Sequence, residues 1–157
     1  MVGRFQSAAA VTNSAILNFD QYATGLGGGD GGSSLTISGT LTNSGTGSVQ
    51  VGNGSLSGTT TISLGGLVNG ASESFKVQGQ SSHFATFFFS NGGAGFTSNA
   101  GVFDLSYTEP LALAGSFNNT GTFGIHNITV LSFGGSCYQQ RNSECPSGNI
   151  LSHWNHI

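Results

Sequence analysis

Cys137 and Cys145 stand upstream of a His-x-x-His pair, His153 and His156, and zinc accepts two thiolates and two imidazoles as a donor set. The gap between the cysteines is longer than in the usual zinc knuckle, and only Glu144 lies near enough in sequence to support an imidazole. A Cys137–Cys145 disulfide closing a short loop fits an exported chain better, with two free thiols as the next reading. No metal site is expected. Glycoside hydrolysis needs two carboxylates facing each other across one bond. The acids available are Asp20, Asp30, Glu73, Asp104, Glu109 and Glu144. Asp104 and Glu109 are closest in sequence, but Glu109-Pro110 reads as a turn and no basic residue accompanies them. His83 and His126 stand alone, read as surface or corner residues, and no Gly-x-Ser-x-Gly elbow occurs.

Two glycine motifs also reduce to turns. Gly27-x-Gly29-x-x-Gly32 has the form of a dinucleotide fingerprint, but residues 33–42 read as a strand where that mechanism needs a helix. Asp30 lies in the same glycine run, without the tandem spacing of calcium-binding nonapeptides. The expectation is therefore no catalysis and no cofactor.

The elements that carry these residues have an unusual composition. Charged residues make up 6% of the 157, against roughly 25% in an ordinary soluble domain. There are 27 Gly and 2 Pro, while the 12 Phe recur in alternating runs that argue against disorder. Three basic side chains (Arg4, Lys76 and Arg141) cannot form a phosphate-neutralising face, so no nucleic-acid partner is expected. No apolar run reaches the length of a membrane-spanning helix. The chain reads as a β protein whose surface is solvated by hydroxyls and amides.

One phrase recurs along it: an apolar residue, Asn two positions later, and Gly soon after. Leu41-Thr42-Asn43-Ser44-Gly45 is the clearest copy. Leu67-Val68-Asn69-Gly70 and Phe117-Asn118-Asn119-Thr120-Gly121 follow it, and the copies at Asn13 and Asn99 are looser. A shift of 26 superposes Leu41 on Leu67, Asn43 on Asn69, Val49 on Phe75 and Val51 on Val77. Repeats of this length imply stacked coils, since one strand-turn-strand unit cannot bury its apolar face alone. Asn43, Asn69, Asn99 and Asn119 suit coil corners. Asn tolerates the left-handed backbone region, and stacked amides can bond from coil to coil.

Period-two alternation places strands at 35–42, 47–52, 59–64, 74–78, 84–90, 102–107, 111–118 and 122–131. The chain divides into an N-terminal segment with a Gly-rich connector (1–34), the repeats (35–133), and a tail of different composition (134–157). The expected fold is all-β, a right-handed parallel β-helix of about five irregular rungs, with an antiparallel β-sandwich as the alternative.

GTLTNSGTGSVQV (39–51) and GSFNNTGTFGIHN (115–127) resemble rungs of bacterial autotransporter passengers and filamentous-haemagglutinin-like exoproteins. That resemblance implies a secreted or cell-surface bacterial segment, an interior piece of something longer, with a structural or adhesive role. Its expected partners are further copies of itself or surface glycans. A carbohydrate-active β-helix enzyme and a glycan- or ice-binding solenoid are the alternatives. Thr-x-Thr pairs suggest the second, but Thr40 and Thr42 align with Ser116 and Asn118 rather than with other threonines.

Overall fold

A computed structural model describes residues 4–21, 31–127 and 131–139. The chain winds as a right-handed parallel β-helix, not a sandwich. The first rung holds β1 (Arg4–Ser7), β2 (Val11–Asn13) and β3 (Ile16–Phe19). The second holds β4 (Ser34–Asn43) and β5 (Ser48–Val51), and the third β6 (Thr61–Asn69) and β7 (Ser74–Gln78). Then come β8 (Thr86–Phe89), β9 (Ser98–Asn99) and β10 (Val102–Ser106), followed by β11 (Leu111–Leu113), β12 (Phe117–Asn119) and β13 (Thr122–His126). A sixth level adds β14 (Leu131–Phe133) and β15 (Cys137–Gln139).

Every strand pairing is parallel, so equivalent strands stack into columns. One sheet runs β3-β5-β7-β10-β13, and a second is built from β1, β2, β4, β6 and β8. The register found by the shift of 26 is the observed one: Leu41 lies beside Leu67, Asn43 beside Asn69 and Val49 beside Phe75. Strands begin before position 35 and continue past 133, because β1 pairs with β4 and β15 with β12.

Alternation sets what is buried. In β7, Phe75 and Val77 turn inward while Lys76 and Gln78 face solvent. Inward residues form one core from Leu35 to Leu131. Its centre is aromatic: Phe103 lies between Phe75 and Phe123, ring centroids 5.5 and 5.0 Å away, with interplanar angles of 9° and 11°. This stack follows from register, since Phe75, Phe103 and Phe123 are successive partners in one column.

Corners hold the rungs at strand spacing. The residue after the last strand of a rung turns left-handed at Asp20 (φ 50°), Tyr107 (φ 49°) and Asn127 (φ 53°), and at Gly52. Where Gly101 closes another corner, a Cβ would overlap the carbonyl oxygens of Gly70 and Glu73 in the rung before it. Gly101→Ala must push two rungs apart and is expected to cost about 2–3 kcal/mol. Gly115→Ala, where a Cβ meets nothing within 4 Å, should stay within about 0.5 kcal/mol of the parent. Chemical denaturation of both variants checks the contrast.

Candidate functional site

The longest polar feature is an amide ladder. Asn13 Nδ2 donates to Asn43 Oδ1 at 2.8 Å, Asn43 to Asn69 at 3.2 Å, Asn69 to Asn99 at 2.8 Å, and Asn99 to Asn119 at 2.7 Å. Each Nδ2 also faces a backbone carbonyl, such as Gly47 and Ser74 for Asn43 or Val102 for Asn69. Those carbonyls fix which end of each amide is nitrogen, so the ladder has one direction throughout. Asn43, Asn69, Asn99 and Asn119 are 1–3% exposed. Their role is internal: they satisfy one another and the corner carbonyls in a core that water does not reach.

What the coil offers outward is a hydroxyl face. Ser34, Thr61 and Thr86 follow one another as register partners on β4, β6 and β8. Two residues along, Gln6, Thr36, Ser63 and Phe88 form the adjacent column, in which Ser63 is buried. A third column sets Thr12 beside Thr42 and Thr42 beside Val68. Rung spacing puts neighbours in a column about 4.8 Å apart. Phe88 and Val68 are 43% and 50% exposed, and Arg4 is the one charged residue in these columns. The alignment of Thr40 and Thr42 with Ser116 and Asn118 missed this array because it compared rungs that are not neighbours. The columns need Thr36 against Ser63 and Ser34 against Thr61, a register offset by a bulge.

That bulge lies between Ile37 and Thr40. Two residues of β4, Ser38 and Gly39, oppose Gly65 of β6, where a Cβ would collide with the Ser38 carbonyl oxygen.

Among the described residues, titratable groups meet at one ion pair. His126 Nε2 stands 3.5 Å from Asp104 Oδ1 on the outer side of the β10–β13 pair. Gly124 is the register partner of Asp104, and its absent side chain leaves room for the imidazole to fold back across. Asp104 thus pairs with His126 rather than with Glu109, whose backbone N–H is held by the Ala85 carbonyl. A shift of 20 places Asp104 on Gly124 and Ser106 on His126, so Asp104 and His126 sit diagonally on one strand pair. Two further carboxylates are held at corners. Asp20 accepts from Ser33 Oγ at 2.6 Å and Thr60 Oγ1 at 2.5 Å, tying the first rung to the two above. Glu73 is 8% exposed and its Oε2, packed over Gly70, has no hydrogen-bond partner.

Cys137 lies on β15 beside Phe117 and is not a free thiol. Cys145, His153 and His156 fall outside the described residues, as do Asp30, Gly27 and Gly29. Among the described residues, no cluster of three His, Cys, Asp or Glu is present, and no helix is long and apolar enough to cross a membrane. No protein-family model, characterised protein or solved structure matches this chain.

Proposed function

We propose that this chain is a stiff segment of an exported bacterial surface protein, and that its hydroxyl face adheres to glycans. The observation that carries the reading is the unbroken ladder from Asn13 to Asn119. It adds a buried side-chain bond to the backbone bonds at four successive rung junctions, which suits a spacer that must keep its length under load. The face described above complements it: hydroxyls in columns, an exposed Phe88 ring, and almost no charge. Sugars present hydroxyls for hydrogen bonds and apolar C–H faces for an aromatic ring, so neutral glycans match that chemistry.

The test is attachment of beads carrying the chain to surfaces coated with neutral polysaccharides. Thr36→Val, Thr61→Val and Phe88→Ala together should lower attachment at least about tenfold, equivalent to 1.4 kcal/mol, with circular dichroism unchanged. Attachment that ignores all three substitutions defeats the adhesive reading. Release of reducing ends from the same polysaccharides, abolished by Asp104→Asn, would replace it with the enzymatic one.

A further inference from the structure

An Asn followed by Gly is open to a reaction within the chain itself. The peptide nitrogen after Asn can attack the side-chain Cγ, and glycine has no Cβ to stand in the way. Three such pairs occur: Asn53-Gly54, Asn69-Gly70 and Asn91-Gly92. The coil holds each in a different state.

Asn69 is locked. Its Nδ2 donates to Asn99 Oδ1 and to the Val102 carbonyl, its Oδ1 accepts from Asn43, and it is 3% exposed. The Glu73 carboxylate packs over Gly70 beside it. Turning this amide onto the Gly70 nitrogen breaks three hydrogen bonds in a site closed to water. Asn53 is half-buried and tied at both amide atoms. Its Nδ2 donates to the Asp20 carbonyl at 2.7 Å, and its Oδ1 accepts from the Ser55 N–H at 2.7 Å.

Asn91 differs from both. It and Gly92 are exposed, in the turn from Ser90 to Gly95 that follows β8. Among the described residues no acceptor takes its Nδ2, the atom that must leave. Its Oδ1 accepts from the Gly93 N–H at 3.2 Å. That bond polarises the side-chain carbonyl, and as an Asx turn it folds the side chain back over the Gly92 peptide. The Gly92 N–H itself donates to the Phe89 carbonyl at 3.0 Å. This bond closes a single exposed turn, which opens far more readily than the buried ladder.

We infer that Asn91 is a self-modification site, deamidating through a cyclic imide with water as the one co-reactant. The Gly92 nitrogen gives up its proton and bonds to Asn91 Cγ. The Cγ–Nδ2 bond breaks, and Nδ2 leaves as ammonia with the proton that the Gly92 nitrogen released. Water then adds to either imide carbonyl and opens the ring, giving aspartate by one route and isoaspartate by the other. One water is consumed, one ammonia is released, and nothing is oxidised or reduced. The product sets a negative charge close in sequence to the exposed Phe88, on a coil that carries few charges. Isoaspartate also adds a methylene to the main chain in the turn that delivers Phe96 to the core, where its ring lies 4.9 Å from Phe103 and 5.3 Å from Phe89. The change runs one way, so modified copies accumulate with age.

The full chain is to be held in mildly alkaline buffer, sampled over time, and mapped by peptide mass spectrometry with aspartyl and isoaspartyl forms separated chromatographically. A parallel sample is held in urea. In the folded chain Asn91 should convert first, at least about tenfold faster than Asn53 and about a hundredfold faster than Asn69, because the latter two react only through local opening. In urea the three rates should converge to within a few fold. Asn91→Gln, whose longer side chain must close a larger ring, should remove the early ammonia release and leave the circular dichroism unchanged. A folded chain in which Asn91 stays intact overturns the inference. So does one in which Asn53 or Asn69 converts as fast as Asn91, or early ammonia release that persists in Asn91→Gln.

Discussion

Asn69→Ala should destabilise the coil by about 3–4 kcal/mol, a large share of the 5–15 kcal/mol that holds an ordinary domain. Asn69 is the middle member of the ladder and is 3% exposed. Truncation removes the amide that donates to Asn99 Oδ1 at 2.8 Å and to the Val102 carbonyl at 2.9 Å. Both acceptors then lose that donor in a site closed to water, and a cavity opens between them. Asn43 suffers less, because its Nδ2 retains the Gly47 and Ser74 carbonyls. Asn13→Ala, at the half-buried end of the ladder, should cost only about 1 kcal/mol. Urea midpoints for the two variants separate a cooperative ladder from a set of independent turns.

Asn69→Asp sharpens the test. A carboxylate there can only accept, yet it faces the Asn99 and Val102 oxygens, so burial and opposed acceptors raise the folded-state pKa of the introduced carboxyl. Its penalty is absent below the unfolded value of about 4 and grows as pH rises toward the folded one. Stability of that variant relative to the parent should therefore fall with rising pH, while Asn69→Ala shows no such slope.

The ladder also marks how much the sequence disclosed. Leu41, Asn43 and Val49 announced the register because apolar, amide and small residues superpose together under one shift, and no other packing explains all three. The second half of β6 was missed as a strand. Gly65-Gly66 interrupts the alternation there, and the glycines are needed because Ser38, Gly39 and Gly95 carbonyls crowd the backbone. The strands of the first rung escaped for the opposite reason. Their inward residues are separated from the regular repeats by a Gly-rich stretch, and as an end rung they lack the dense apolar signal of the interior. Pairings across rungs, such as Asp104 with His126 or Thr36 with Ser63, depend on spacings that change from rung to rung. A bulge or a shorter turn shifts them by one residue, and composition carries no trace of that shift.

Phe103→Ala is expected to be the most damaging apolar truncation, at about 4–5 kcal/mol. Its ring is fully buried and touches four others: it stacks on Phe75 and Phe123 and lies 4.9 Å from Phe96 and 6.1 Å from Phe87. The loss therefore combines transfer of a large side chain, a cavity spanning two rung junctions, and the aromatic contacts themselves. Phe103→Leu keeps most of the volume and should cost about 1–2 kcal/mol, while Phe88→Ala on the outer face should stay near 0.5 kcal/mol. The position of the cavity matters as much as its size. In a coil each rung contacts only its neighbours, so stability is close to a sum of rung and junction contributions. Phe103 supports both junctions of the fourth rung, and no long-range contact can compensate for weakening them together. The parent should unfold in one transition, and Phe103→Ala in two, with the first to third rungs and the rungs beyond the fourth melting separately. Hydrogen exchange resolved along the chain measures this directly. A single shifted transition would mean that the ladder alone couples the two halves, and that the ring stack contributes only its volume.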